Sequence, residues 1–160
     1  MYIPFEQLPP QARIWIYQAD REFTAAEASE IQDKIKDFVT EWSAHGVALH
    51  ASGQILHNRF IVLGTDANLT APSGCSIDSS VKFIRELESA FNVQLFDRTH
   101  LAFEENGAIK TYALTEMPMV VAAGKITAET PYFDNLVGEA GAIKNDWVKP
   151  AGNSWLRKYF

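Results

Sequence analysis

The run Ser73-Gly74-Cys75-Ser76-Ile77-Asp78-Ser79-Ser80 concentrates more reactive chemistry than any other stretch of this chain. It holds the only cysteine among small residues and hydroxyls, and an apolar helical pattern starts directly after it. A helix amino terminus offers unpaired backbone N–H groups and about half a positive charge to an anion. Gly74 permits a close backbone approach there, and the hydroxyls of Ser76 and Ser79 are further donors to a phosphate or carboxylate. The same surroundings lower a thiol pKa, to about 3.5–7.5 in reactive cases, which would make Cys75 a nucleophile. Against both, Ser and Asp at a helix start are ordinary caps, and free cysteine is commonly just packed. Asp78 also puts a carboxylate where an anion would sit. Three readings stay open: a capped helix with a buried structural cysteine, a site for a small anionic ligand, and a reactive thiol.

A reactive thiol needs a base within reach. The topology argued below brings His45, His50, Asp66, Cys75, Asp78 and Glu104 to one edge of a sheet, so His45 and His50 join Cys75 as catalytic candidates. Each histidine taken alone reads more readily as a surface or satisfied polar residue. Gly74, Ser76 and Ser79 are the ligand-binding candidates, together with Arg98. Asp97-Arg98 interrupts an apolar run, where charge is rare unless paired. Arg98 shares a strand face with Phe96 and His100, and suits either a ligand carboxylate or an internal or intersubunit salt bridge.

Other motifs fail on spacing. One cysteine and four histidines without a short-spaced pair give no zinc framework, so no metal is expected. Gly124-Lys125-Ile126-Thr127 has only the outline of a phosphate loop: that motif needs Gly-x-x-x-x-Gly-Lys-Ser/Thr, and here Met119 and Ile126 hold the decisive positions. The Rossmann glycines and the Gly-x-Ser-x-Gly elbow are missing too. No cofactor is expected.

The elements that must position these residues are legible in part. Arg13 to Gln18 is β-branched and aromatic and reads as a strand. Thr24-Ala25-Ala26-Glu27 has the form of a capping box. Ala28, Ile31, Ile35, Phe38, Val39 and Trp42 follow at helical spacing, with Gly46 as the stop. Residues 47–56 and 59–65 read as strands around a His57-Asn58 turn. A second helix carries Val81, Ile84, Leu87 and Phe91, capped by Asp78 or Ser76. A long strand is expected over 93–103, then a hairpin at Glu105-Asn106-Gly107 returning to Ala113, and a short helix over 115–123. This order predicts one α+β domain over 1–160, with a ferredoxin-like split βαβ antiparallel sheet in 1–104 and two long helices on one face. Residues 105–160 add a hairpin strand and a carboxy-terminal extension. Both faces of the first strand are apolar, so the aromatic-rich tail, or a second subunit, is expected to cover the far face.

Composition narrows the class. At 160 residues the chain has the size of one ordinary domain. Hydrophobic content of 47% with 21% charge excludes extended disorder. A net charge of −6, without a basic run, removes the footprint of a nucleic-acid partner. No segment approaches the length of a membrane span, and no signal peptide pattern opens the chain. With a lone cysteine, this predicts a cytoplasmic protein without nucleic-acid or membrane partners.

The pattern Arg13-x-Trp15-x-Tyr17-Gln18, Trp42-x-x-His45-Gly46, Asn58-Arg59-Phe60-Ile61, Gly74-Cys75-Ser76-Ile77-Asp78 and Ser154-Trp155 resembles a small uncharacterised bacterial family of about this length. The similarity runs over most of the chain. Members often carry the label ABC transporter ATPase, which implies a Walker A loop, a signature loop and a much longer chain. All three are missing from this sequence, so the resemblance carries over no functional residues. The expected function is small-molecule or anion binding at Gly74–Ser80; the alternative is a non-catalytic, homo-oligomeric interaction protein. Nucleotide hydrolysis is disfavoured.

Overall fold

Two antiparallel sheets of three and four strands, each with its own core, organise the chain. The computed structural model describes residues 1–160 and divides them into two compact units. The first comprises Met1–Phe96 with Gly138–Gly141, the second Asp97–Val137 with Ala142–Phe160. The fold is mixed α+β, and no helix is long and apolar enough to cross a membrane.

In the first unit, strand β1 (Arg13–Gln18) leads to helix α1 (Ala25–Glu41). A short hairpin, β2 (Ser43–Ala44) and β3 (Val47–Ala48), precedes β4 (Ala51–Leu56), β5 (Phe60–Thr65) and helix α2 (Gly74–Phe91). The sheet order is β1-β5-β4, with both pairings antiparallel. His57 and Asn58, at φ 54° and 50°, make the two-residue turn between β4 and β5 that their types predict. Gly46 does not stop α1. The helix ends at Glu41, and Gly46 (φ 77°) turns the β2–β3 hairpin beside His45 (φ 52°).

Both helices pack on one face of this sheet. Ile31, Ile35 and Val39 of α1 and Ile84 and Leu87 of α2 meet Tyr17, Ile61 and Leu63. Each such side chain, fully buried, contributes about 1.5–3 kcal/mol. The helices touch through Phe38 and Phe83, stacked with centroids 4.4 Å apart. On the other face Ile14, Phe60 and Val62 are also buried, and Leu8 lies against Gly64, where a Cβ would come within 2.8 Å of its Cδ1.

The outer rim of β4 is occupied by the chain itself. Ala51 exchanges backbone bonds with Met1 (3.0 Å) and Ile3 (2.8 Å). Gln32 reaches from α1 to donate to the Gly53 carbonyl (3.1 Å) and accept from the Ile55 amide (3.2 Å). The start of β1 is covered by residues 138–140, through Ile14 N–H to Gly138 O (3.0 Å) and Ala140 N–H to Ala12 O (2.9 Å).

The capping box at α1 forms as spelled, with Thr24 and Glu27 exchanging bonds. Arg21 grips the same carboxylate with two nitrogens at 2.8 Å and also donates to the Phe91 carbonyl at the end of α2. The Arg21 hydrogen bonds, then the Thr24 amide, hold the Glu27 carboxyl down at about 2, from an ordinary 4.5. A depressed carboxylate pKa stabilises the fold above its unfolded value and loses that contribution as pH falls through the folded one. Stability is therefore expected to decline between pH 4.5 and about 2. Glu27→Gln should be less stable than the parent at neutral pH and should flatten this part of the acid limb, as read by urea titration at several pH values. An unchanged acid limb would refute the assignment.

The long strand expected over 93–103 does not form. Asp97 accepts from the Thr99 amide (2.8 Å) and hydroxyl (2.6 Å) and pairs with His100 at 2.7 Å, so the backbone turns there. Strand β6 begins only at His100 (His100–Glu105) and belongs to the second unit, so the first sheet has three strands rather than four.

In that second unit β6 pairs with β7 (Ala108–Ala113) through an Asn106-Gly107 turn at φ 52° and 78°. Helix α3 (Met117–Ala122), β8 (Pro131–Phe133), helix α4 (Ala142–Asn145) and β9 (Val148–Pro150) follow, and the sheet order is β7-β6-β8-β9. Leu101, Phe103 and Tyr132 pack with Met117, Val120, Ile126 and Leu156 in its core. The carboxy-terminal residues help to build it: Tyr159 packs alongside, and the Trp155 indole donates to the Tyr132 hydroxyl at 3.0 Å. Burial pushes the Tyr132 phenol up to about 12.

Candidate functional site

The loop before α2 ends earlier than either expected cap implies. Ser73, not Asp78 or Ser76, is the N-cap: its hydroxyl accepts from the Ser76 amide at 3.1 Å. Ser76 reciprocates, its hydroxyl accepting from the Ser73 amide at 2.6 Å and donating to the Ser73 carbonyl at 2.8 Å. The Trp42 indole then fixes the Ser76 carbonyl at 2.8 Å. Ser76 is thus buried and fully engaged by its own chain. The Ser79 hydroxyl, on the exposed side, donates to the Cys75 carbonyl at 2.9 Å.

Gly74 and Cys75 occupy the first two helical positions and are exposed, with nothing within 4 Å of where a Gly74 Cβ would stand. A buried structural cysteine is therefore the wrong picture: the helix begins one residue before Cys75 and turns its side chain to solvent. His45 sits exposed in the β2–β3 turn, and His50 is half-buried, its carbonyl accepting from the Asp66 amide. No hydrogen bond joins the Cys75 thiol to either histidine. Glu104 lies on β6 in the second unit. Arg98 is exposed in the loop before β6, and the carboxylate of its neighbour Asp97 is engaged by Thr99 and His100. No cluster of three or more His, Cys, Asp or Glu side chains is arranged to hold a metal ion.

A different place gathers polar groups into a concavity. A cleft of about 480 Å³ opens in the second unit between the β6–β7 hairpin and the segment leading into β8. Its walls include Glu104, Glu105, Lys110, Tyr112, Lys125 and Thr130. The strand register explains one wall. Leu101, Phe103 and Glu105 share a face of β6, and Tyr112 and Lys110 stand on the same face of β7. The apolar stripe thus ends in a carboxylate. The Tyr112 hydroxyl donates to Glu105 Oε1 at 2.8 Å, and Lys110 Nζ lies 3.4 Å from Oε2. The Glu105 side chain keeps only 14% of its exposure. Burial, then the Glu105 bond and charge, raise the Tyr112 pKa, so the phenol stays a proton donor.

The opposite wall is set by a helix stop. Gly124 takes φ 71° after α3, and the Lys125 amide returns to the Val120 carbonyl at 3.0 Å. This is the local reason for the Gly124-Lys125 pair: it terminates a helix rather than cradling a phosphate. Ile126 is then fully buried and anchors the turn that follows. There the Thr130 hydroxyl accepts from the Thr127 amide at 2.9 Å. The sequence carried one usable signal for this cleft, the parity of Glu105, Lys110 and Tyr112 across the Asn-Gly hairpin. Lys125 and Thr130 gave none, because only tertiary packing brings them near.

Comparison with protein-family models, curated proteins and solved structures finds no match for this chain.

Proposed function

We propose that this protein binds a small polar ligand in the cleft of its second unit. One observation supports this above the rest: a carboxylate anchored by a phenol and an ammonium stands in a cavity whose lining also includes Lys125 and Thr130. Its size falls within the usual range for small-molecule sites, about 300–1,000 Å³. The test is a screen of small charged and polar metabolites against the ¹⁵N-labelled chain. Shifts of the Glu104–Lys110 amides and of Lys125 are the expected result. Binding that leaves those amides unmoved overturns the reading.

A second reading keeps the loop–helix junction as a site for a small anion. The open space above Gly74 and the exposure of Cys75 favour it. Such a site would draw on the amides of Gly74 and Cys75, with Ser79 beside them. Ser76 would add nothing, since its amide and hydroxyl are taken. Inorganic phosphate in the same screen separates the two, because it should move Gly74 and Cys75 alone if this reading holds.

We also read the first unit as a variant of the ferredoxin-like arrangement. In support, β5 lies between β1 and β4, and both long helices share one face. A cytoplasmic location and kinship with the bacterial family that the sequence resembles belong to the same proposal.

A further inference from the structure

The three- and four-stranded sheets have four borders between them, and three are protected by the chain itself. Met1, Ile3 and Gln32 occupy β4, and residues 138–140 cover the start of β1. β9 is three residues long and ends in Pro150, which has no N–H to offer. β7 is the exception. It runs for six residues, Ala108–Ala113, with β6 on one side and no strand on the other. The two-residue turn makes Glu105 and Ala108 a hydrogen-bonded pair, so Lys110 and Tyr112 also direct their backbone groups to β6. The Leu114 N–H, bonded to the Thr99 carbonyl at 2.7 Å, keeps the same alternation. The backbone groups of Ile109, Thr111 and Ala113 therefore face away from β6. Glu116 takes the Ala113 N–H at 2.9 Å. The N–H and C=O groups of Ile109 and Thr111 have no partner within the chain.

We propose that β7 pairs antiparallel with β7 of a second copy of this chain, across a two-fold axis at Lys110. In that register Ile109 faces the partner's Thr111, Thr111 faces the partner's Ile109, and each pair exchanges two bonds. All four free groups of each copy are used, and no others are needed. An axis at Thr111 would call on the Ala113 N–H that Glu116 already holds. An axis at Ile109 would call on Gly107, which lies in the turn at φ 78°. The side chains fit the same register. Ile109 beside Thr111 is a β-branched pair, and Tyr112 stands opposite Ala108, large against small. A two-fold pairing also closes on itself and leaves no further edge on that side. An unrelated extended segment would use the same backbone groups without this match. Lys110 is the opposing element: two lysines meet at the axis, and like charges there are penalised. Each is offset in part by its own Glu105, 3.4 Å away. The contact is small, so the dimer is a weak one that tightens as salt screens the lysines. The inference does not depend on the cleft reading.

The test is sedimentation of the full chain from about 10 µM to about 1 mM at low and high salt, with amide hydrogen exchange at both ends of the range. A monomer–dimer equilibrium is expected, stronger at high salt. The Ile109 and Thr111 amides should exchange freely in dilute solution and become protected in concentrated solution. Thr111→Pro removes one N–H per copy and should weaken the dimer about tenfold or more. That N–H takes no part in the β6–β7 ladder, so the variant should keep the parent's folded spectrum. Lys110→Thr should tighten the dimer and remove its salt dependence. A parent chain that stays monomeric at about 1 mM in high salt overturns the inference. So does a dimer that leaves the two amides unprotected, or one that Thr111→Pro does not weaken, because its contact then lies elsewhere.

Discussion

Gly53→Ala is expected to cost stability at or beyond the upper end of the usual overpacking range, about 1–3 kcal/mol, and Gly53→Val should leave the first unit unfolded. Gly53 lies on the face of β4 that α1 covers. A Cβ there would run into Ile35 Cγ2 and come within 3.0 Å of Leu63 Cδ2. Both neighbours are fully buried with no exposed side to retreat to, and protein interiors yield little. Gln32 meets the same stretch of β4, at the Gly53 carbonyl and the Ile55 amide. Urea denaturation followed by tryptophan fluorescence reads the loss directly, since Trp15 and Trp42 stand 5.9 Å apart in or against this core. Adding Ile35→Ala opens the space a methyl needs, so the double variant should lose less than the two single losses combined. A parental midpoint for Gly53→Ala would refute the close approach.

Phe103→Ala should cost about 3–5 kcal/mol, the comparable loss in the second unit. Phe103 is fully buried at the centre of its core, 5.3 Å from the ring of Tyr132 and 6.1 Å from that of Tyr112. Truncation leaves a void bordered by the two phenols whose hydroxyls hold Glu105 and Trp155. The effect therefore reaches the cleft as well as the core. Phe103→Leu, which keeps most of the volume, should cost less than about 1.5 kcal/mol. Denaturation midpoints check both, and the amides of Glu104 to Lys110 should broaden in the alanine variant alone. A small loss for alanine would mean that the surrounding side chains collapse into the space.

What could be read in advance follows a physical line. β1, the α1 capping box and the turns at His57-Asn58 and Asn106-Gly107 were all legible, because neighbours in sequence make them: alternation, a reciprocal bond, a pair of left-handed residues. The break before β6 is not legible in the sequence. Val93 to Phe103 has the apolar content of one strand, and the turn depends on where the Asp97 carboxylate goes. The start of α2 is not legible for a related reason. Asp78 and Ser76 are the caps the sequence suggests, but the reciprocal bond between Ser73 and Ser76 and the Trp42 indole make Ser73 the cap. The cleft was hardest of all. Its two walls come from segments separated by a helix and its stop, and charge on a hairpin reads as a wetted surface until the opposite wall is in place.

Gln32 acts on the first sheet as a neighbouring strand would, from a helix and with a single side chain. Together with the Met1 and Ile3 contacts at Ala51, it leaves few free backbone groups along that border for a passing chain to zip onto. Two molecules that collide there must break existing bonds before making new ones. Growth into ribbons is blocked at its first step on that side, and the sheet stays finite.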